Sequence, residues 1–139
     1  MVKVTDDGFF PVPRDKVWRL IEAHGTDVRT IHPDIKSTRP LDKEMTTFEH
    51  MREMNGQVVK TVLKVIPNPP NSLTLEFLEG PITGKMVNTY SDVPGGTKVV
   101  TECDMKSQLM DDKQLEEAVR QVLSRGFDED LRYLRTKMQ

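Results

Sequence analysis

The sequence predicts an α+β domain, in which a seven-stranded antiparallel sheet is covered by one long C-terminal helix. Two observations predict this fold class. Apolar residues recur at helical spacing in residues 111–138, which would span about 42 Å as a helix. Between residues 35 and 107 the chain instead forms short alternating segments separated by turn residues, a pattern typical of an antiparallel sheet. The apolar stripe of the helix must therefore pack on the apolar face of the sheet.

The composition indicates one domain and argues against several functional classes. The chain has 139 residues and no linker-like segment, which is enough for one hydrophobic core. A formal charge of -2, from interspersed basic and acidic residues, disfavours nucleic-acid binding. The single cysteine, Cys103, excludes an internal disulfide, and no apolar run suits a signal peptide or a membrane span. We therefore expect a cytoplasmic protein, whereas the oligomeric state has no sequence signal.

The first part of the chain predicts one strand followed by two short helices. Residues 2–10 read as a strand interrupted by a β-bulge at Gly8. Pro13 suits the first position of a helix, because a backbone N–H at that position would have no partner within the helix and proline lacks this group. A second helix is predicted for residues 27–31, with Thr26 as its N-cap.

Six further strands are predicted after these helices. They span residues 35–40, 44–54, 57–66, 72–78, 83–93 and 97–107. Asn55 and Gly56 form the strongest hairpin signal, because both residue types tolerate the positive φ of a type I′ turn. Residues 67–71 predict a stiff loop, and residues 79–81 and 94–96 supply the other turns. The glycine pair in the last turn precedes a strand instead of a helix, which disfavours a phosphate-binding loop.

A two-residue turn at residues 55–56 also determines which side chains share a face of the sheet. Met54 is then opposite Gln57, and the same register places His50 opposite Thr61. This face is apolar with a few polar groups, as is usual for a small-molecule pocket. The residues predicted to line the pocket, from this face and the covering helix, are Phe48, His50, Arg52, Thr61, Leu63, Leu75, Phe77, Met86, Asn88, Tyr90, Thr101, Val122 and Gly126.

The apolar face of the C-terminal helix changes at Gly126. Leu115, Val119 and Val122 share one face before this residue, whereas the later apolar residues centre about 100° further around the helix. Glycine costs about 1 kcal/mol relative to alanine inside a helix. We therefore predict a bend or a close approach at Gly126, with gentle curvature as the alternative. The acidic run at residues 128–130 is expected to be solvated.

Sequence signatures of catalysis and metal binding are absent. The chain has no Gly-x-Ser-x-Gly motif, and Cys103 has no assigned base, so we expect a buried structural thiol. His24, His32 and His50 show no paired ligand spacing with each other or with the cysteine, so neither a metal nor a cofactor is predicted. His50 beside Tyr90 or Arg52 is the best candidate set for acid–base chemistry.

The order of strand, helix pair, six antiparallel strands and long closing helix resembles the helix-grip fold of the START-like superfamily called SRPBCC. Residues 12–21, with the sequence VPRDKVWRLI, are similar to that family's approach to its first helix, and His32-Pro33 follows the second. The turn at residues 42–44 departs from the plant allergens of this superfamily, because it lacks their glycine-rich loop. The resemblance implies a strongly curved sheet that wraps the terminal helix and leaves a ligand cavity, as in the polyketide cyclase and lipid-transfer branch.

These observations lead to one principal functional hypothesis and two alternatives. The principal hypothesis is binding or transport of a hydrophobic or amphiphilic small molecule between sheet and helix, with His50, Arg52 and Tyr90 orienting its polar end. The first alternative, implied by the resemblance, is an enzyme of the polyketide cyclase or dehydratase type. The second is an interaction module like the chaperone activators of the superfamily, which would expose an apolar patch. Binding is preferred to catalysis, because no catalytic signature is present.

Overall fold

In the computed structural model, which describes residues 1–139, the chain forms one sheet and two helices. The elements are β1 (Val2–Phe10), α1 (Arg14–Ile31), β2 (Ile35–Pro40), β3 (Thr47–Met54), β4 (Gln57–Asn68), β5 (Ser72–Glu79), β6 (Thr83–Val93), β7 (Gly96–Lys106) and α2 (Asp112–Lys137). The strands pair antiparallel in the order β1-β7-β6-β5-β4-β3-β2. The predicted α+β class, with a seven-stranded sheet and a long C-terminal helix, is confirmed. Neither helix combines the length and apolar character needed to cross a membrane.

Strand β1 is continuous, so the β-bulge predicted at Gly8 is wrong. Its pairing with β7 keeps one register from Val2 to Phe10. Gly8 instead leaves room for α2, because a Cβ atom at this position would lie 2.7 Å from the ring of Phe127, which would have to shift. The same ring packs on Phe10 with 4.9 Å between the ring centroids. The glycine therefore marks the place where α2 approaches the backbone of the sheet.

Helix α1 contains a kink where two separate helices were predicted. Asp27 has non-helical dihedral angles, with φ of -135° and ψ of 25°. Thr26 does not cap the second part, because its hydroxyl lies 3.5 Å from the carbonyl oxygen of Ala23 in the preceding turn. The carboxylate of Asp27 instead accepts a hydrogen bond from the hydroxyl of Tyr133 at 2.7 Å. The kink is therefore tied to α2 through a side chain distant in sequence.

The hairpin between β3 and β4 has the predicted turn and register. Asn55 and Gly56 have φ values of 52° and 79°, as a type I′ turn requires. Met54 pairs with Gln57, and His50 pairs with Thr61. The two faces of this hairpin are therefore the ones that the sequence predicted.

Strand β3 begins at Thr47, three residues later than predicted. The carboxylate of Asp42 accepts hydrogen bonds from the backbone N–H groups of Thr46 and Thr47, at 2.9 and 3.1 Å. Met45, which directly precedes Thr46, has a φ of 59°. Because side-chain hydrogen bonds to local backbone compete with strand pairing, the chain turns here before β3 can start.

Two clusters of buried residues connect the sheet to the helices. The first joins α1 and the C-terminal half of α2 to the sheet and consists of Phe10, Val17, Trp18, Leu20, Leu73, Tyr90, Val99 and Leu134. The second joins the N-terminal half of α2 to the sheet and consists of Val2, Val4, Met86, Cys103, Met105, Leu115 and Val119. Cys103 is a buried structural thiol, as predicted, and burial raises its pKa to about 11.

Two side chains within residues 12–21, which carry the resemblance to a known family, contact strand β6 and the loop between β4 and β5. Arg14 forms a bidentate ion pair with Asp92, with distances of 2.9 Å from Nε to Oδ1 and 3.1 Å from Nη2 to Oδ2. The indole N–H of Trp18 donates to the carbonyl oxygen of Pro70 at 3.0 Å. These two side chains therefore stabilise the fold.

Helix α2 begins with a capping box at Asp111. The carboxylate of Asp111 accepts from the backbone N–H of Gln114 at 2.8 Å, and the Gln114 side chain accepts from the backbone N–H of Asp111 at 3.1 Å. The backbone is helical through Gly126. A Cβ atom at Gly126 would lie 3.9 Å from His32, an ordinary contact that an alanine would tolerate. No close approach therefore requires this glycine, and the bend stays a prediction.

Candidate functional site

Most of the thirteen predicted pocket residues share the inner face of the sheet, and the other two lie on α2. The cross-strand pairs within this set are Phe48 with Leu63, His50 with Thr61, Leu63 with Phe77, Leu75 with Met86, and Asn88 with Thr101. The last pair is hydrogen-bonded, because the Thr101 hydroxyl donates to the Asn88 side-chain oxygen at 2.6 Å. Val122 and Gly126 are both partly buried in α2. The alternating pattern of each strand thus brings the predicted side chains onto one surface.

Several apolar side chains on this inner face are only partly buried. Leu63 and Met86 are buried, whereas Phe48, Leu75 and Phe77 on the same face are partly exposed. Apolar side chains that point into a filled core are close to fully buried. Helix α2 packs on β1, β7 and α1. Solvent therefore reaches part of the inner face of β3 and β5, away from that contact.

A cleft of about 200 Å³ lies between the sheet and α2 at the β1 edge. Its lining residues are Asp6, Asp7, Gly8, Val99, Thr101, Leu123, Ser124, Phe127 and Asp128. Thr101 belongs to the predicted set, whereas the others were not assigned to a site from the sequence. The one sequence signal for this location was Gly8, since a glycine inside a strand indicates a close approach by another element.

A larger groove of about 510 Å³ lies between the second half of α1 and β2. It is lined by residues 25–30, 33, 35, 36 and 38, among which Val28 and Ile35 are the hydrophobic members. Pockets for apolar ligands are lined mainly by hydrophobic and aromatic side chains. The smaller cleft beside α2 has the more apolar lining, which includes Val99, Leu123 and the aromatic ring of Phe127, so it is the better candidate for such a ligand although it has less volume.

A cluster of histidine and carboxylate side chains lies between α1 and α2. His24 Nε2 is 3.1 Å from His32 Nε2 and 3.0 Å from Asp130 Oδ1. His32 Nε2 is 3.3 Å from the same carboxylate oxygen, and His32 Nδ1 is 2.8 Å from Glu129 Oε1. The expectation that residues 128–130 are all solvated is wrong for Glu129 and Asp130, because the second half of α2 packs its carboxylates against α1.

Burial and pairing act in opposite directions on the titration of this cluster. Burial alone would lower the pKa of His32, yet the carboxylates of Asp130 and Glu129 hold it above its ordinary value. Burial would likewise raise the pKa of Asp130, yet hydrogen bonds from His24 and His32 hold it below its ordinary value. The sequence contained no signal for this cluster, because Asp130 is 106 residues from His24 along the chain.

Arg52, predicted to orient the polar end of a ligand, is held by an acidic partner. Its Nε atom lies 3.1 Å from Asp34 Oδ2, and Arg125 Nη2 lies 3.5 Å from the same oxygen. The side chains of Arg52 and Asp34 are 22% and 16% exposed. The Arg52 Nε atom is buried without a hydrogen bond of good geometry, so the attraction to Asp34 is mainly ionic. Burial lowers the pKa of Arg52, and the charge of Asp34 opposes that effect.

His50 and Tyr90, the predicted acid–base candidates, are both electrically neutral near neutral pH. Burial, with a smaller contribution from the charge of Arg52, lowers the pKa of His50 to about 4. Burial also raises the pKa of the Tyr90 phenol, whose ring packs edge-on against Trp18 at a centroid distance of 5.8 Å. Efficient acid–base groups titrate near the working pH, which neither side chain does.

We expect acidification to destabilise the protein through His50. The unfolded chain takes up a proton near pH 6.5, but the folded protein resists protonation until about pH 4. The free energy of unfolding should therefore fall across this window, by about 2–3 kcal/mol in total. The titratable groups that face His50 are Arg52, His24, His32 and Asp34. Urea unfolding at neutral and at acid pH measures how much unfolding free energy is lost on acidification. In the His50→Gln protein this loss should be smaller. An equal acid dependence in both proteins would contradict the prediction.

The whole sequence, residues 1–139, matches the family model described as polyketide cyclase / dehydrase and lipid transport. No curated protein matches the sequence of the chain.

Several solved structures have the same fold. A conserved protein from Geobacillus kaustophilus has a TM-score of 0.81 and 11% identity, over 95% of this chain and 94% of that chain. A START superfamily protein from Mycobacterium smegmatis has a TM-score of 0.75 and 13% identity, over 93% of both chains. The Zhui aromatase/cyclase from Streptomyces sp. R1128 has a TM-score of 0.73 and 15% identity, over 94% of this chain and 88% of that chain. At such identities the likeness shows the fold alone.

Proposed function

Because the chain belongs to the polyketide cyclase / dehydrase and lipid transport family, we propose that it binds a hydrophobic or amphiphilic small molecule between the sheet and α2. The observation that carries this proposal is the cleft of about 200 Å³ beside a partly exposed apolar face. Val99, Leu123 and Phe127 supply its apolar walls, and the hydroxyl groups of Thr101 and Ser124 are its neutral polar contacts. An apolar wall beside polar groups that can orient a ligand is a feature of small-molecule sites.

The size of the cleft limits what can be enclosed. Typical pockets for small molecules have volumes of roughly 300–1,000 Å³, so this cleft accommodates one chain or ring of an amphiphile instead of a whole large ligand. At about 25 cal/mol per Å², covering a few hundred square ångströms of apolar surface contributes several kcal/mol before the costs of ordering. Apolar burial is therefore the main source of affinity in this proposal.

The charges around the cleft favour a ligand whose polar end is neutral or cationic. Asp6, Asp7 and Asp128 all belong to its lining, and each is exposed to solvent. An anionic head group placed among these carboxylates would be repelled, whereas a hydroxyl or an ammonium group would be accepted. The proposed ligand class is thus an apolar chain or ring that carries an alcohol or an amine.

The titratable groups of the inner face support binding over cyclase or dehydratase chemistry. His50 has a pKa of about 4, burial raises the pKa of the Tyr90 phenol, and burial raises the pKa of the Cys103 thiol to about 11. None of these groups titrates near neutral pH, where a general acid or base is most effective. Arg52 is paired with Asp34, so its charge is already compensated.

Filling the cleft should abolish binding. The native chain should bind the neutral fluorophore N-phenyl-1-naphthylamine with a Kd in the micromolar range, which corresponds to a binding free energy of about -8 kcal/mol. Leu123→Trp places an indole in the cleft wall, so binding of this fluorophore should be lost. Leu109→Trp is the matched control, because Leu109 is exposed and precedes α2. Dodecylamine should displace the fluorophore at lower concentration than dodecanoate. No fluorescence with the native chain, or equal binding by Leu123→Trp, would contradict the proposal.

A further inference from the structure

Three side chains from two helices converge on one point outside the ligand cleft. The atoms are Nε2 of His24, Nε2 of His32 and Oδ1 of Asp130, and their separations are 3.1, 3.0 and 3.3 Å. His24 lies in α1, His32 directly follows it, and Asp130 lies in α2. None of the three residues lines the cleft of the proposed function. The cluster therefore needs an explanation of its own.

The second nitrogen of each imidazole is occupied by an acceptor. His24 Nδ1 is 2.8 Å from the carbonyl oxygen of Leu20, and His32 Nδ1 is 2.8 Å from Glu129 Oε1. A carbonyl or carboxylate oxygen has no proton to donate, so each Nδ1 must carry the N–H and donate it. In the neutral imidazoles both Nε2 atoms then present lone pairs to each other and to the Asp130 carboxylate.

Three electron-pair donors that face one another repel unless a proton or a metal ion lies between them. A proton on one Nε2 atom would make a hydrogen bond to Asp130, whereas a metal ion would contact all three atoms at once. Two ligands about 2.1 Å from one metal ion lie roughly 3.0 Å apart at octahedral angles and roughly 3.4 Å apart at tetrahedral angles, and the three separations fall within this range. We propose that His24, His32 and Asp130 bind one divalent transition-metal ion of the zinc class. An ion at this distance would sit about 1 Å out of the plane of the three atoms, which leaves a fourth position for water or another ligand.

The donor set selects the kind of metal. Two imidazole nitrogens and one carboxylate oxygen suit zinc, iron(II), cobalt, nickel or copper, whereas magnesium and calcium prefer oxygen ligands throughout. The contacts of the Nδ1 atoms with Glu129 and Leu20 are the outer hydrogen bonds that metal-binding histidines usually make. The three ligand residues are only partly buried, so an ion can reach them from solvent.

Titration calorimetry on the full chain tests the proposal. The chain is prepared without a histidine tag and dialysed against EDTA, then titrated with zinc sulfate, cobalt chloride or magnesium chloride. We expect one zinc ion per chain, a raised unfolding temperature with zinc but not with magnesium, and visible absorption bands with cobalt. Binding of less than one zinc ion per chain, or an equal temperature shift with magnesium, would overturn the assignment.

Single substitutions identify the ligands. His24→Gln, His32→Gln and Asp130→Asn should each weaken zinc binding by more than the roughly 10- to 100-fold typical of losing an outer partner. His50→Gln is the matched control, since it removes the remaining histidine of the chain and should leave zinc affinity unchanged. Equal affinity in His32→Gln and the native chain would overturn the proposal.

A measurement on the native chain tests whether His24 and His32 bind zinc even where a variant fails to fold. In long-range ¹H–¹⁵N spectra, zinc should shift the Nε2 resonances of His24 and His32 and leave those of His50 in place. A shift confined to His50, or none, would show that a proton instead of a metal fills the cluster. Because the cleft shares no residue with this cluster, loss of metal binding would leave binding of the naphthylamine probe unchanged.

Discussion

Gly84→Ala is expected to lower the free energy of unfolding by about 3 kcal/mol or more. Gly84 has a φ of 138°, a conformation that residues with a side chain rarely adopt. A Cβ atom here would collide with the carbonyl oxygen of Asp104 and lie 2.9 Å from the Cα atom of Met105. Both atoms belong to the backbone of β7, so the collision is relieved only by separating two paired strands. Urea unfolding followed by circular dichroism measures the loss.

Gly25→Ala is the matched control for this substitution. Gly25 lies in α1, and a Cβ atom there would meet no other atom within 4 Å. Alanine has the higher helix propensity, so this variant should gain about 0.5–1 kcal/mol of stability. A Gly84→Ala protein as stable as the Gly25→Ala protein would contradict the close pairing of β6 with β7 at this position.

Asp34→Ala is expected to cost about 3 kcal/mol, because it leaves the buried charge of Arg52 without its partner. Asp34 Oδ2 lies 3.1 Å from Arg52 Nε, and it also contacts Arg125 Nη2 at 3.5 Å. The Arg125 side chain is 56% exposed and can be hydrated instead. Arg52 is less accessible to water, since its side chain is 22% exposed and its Nε atom is buried. Thermal and urea unfolding of the single variant measure the effect.

A second substitution separates the charge effect from the packing effect. The double variant Asp34→Ala with Arg52→Met removes the unpaired charge, so it should recover part of the lost stability. Glu53→Ala, which breaks the surface pair between Lys36 and Glu53, should cost no more than about 0.5 kcal/mol, because these side chains are 51% and 52% exposed. If the double variant is less stable than Asp34→Ala, packing of Arg52 outweighs its charge.

The two proposals assign different parts of α2 to different chemistry. Leu123 and Phe127 form a wall of the cleft, whereas Asp130 in the next turn contacts the histidines. Substitutions at Leu123 and at Asp130 should therefore affect ligand binding and metal binding separately. A change in both properties with either substitution would indicate that the two sites are coupled through the helix.

Local chemistry in the sequence was sufficient for most of the elements and for the register of the hairpin between β3 and β4. The turn at Asn55 and Gly56 determined which side chains of β3 and β4 share a face, and the helical spacing of apolar residues from residue 111 onward located α2. These features depend on residues close together in the chain, whose geometry is limited by backbone sterics and local hydrogen bonds. Spacing and turn chemistry therefore predict them directly.

Only the tertiary structure decided how α2 lies across the sheet and α1. The direction of that packing places Phe127 over Gly8, which creates the cleft at the β1 edge and leaves part of the inner face uncovered. The same packing brings Asp130 to His24, from which it is separated by 106 residues. Periodicity reports which residues share a face of one element, but the meeting of two faces depends on many weak contacts summed over the whole core.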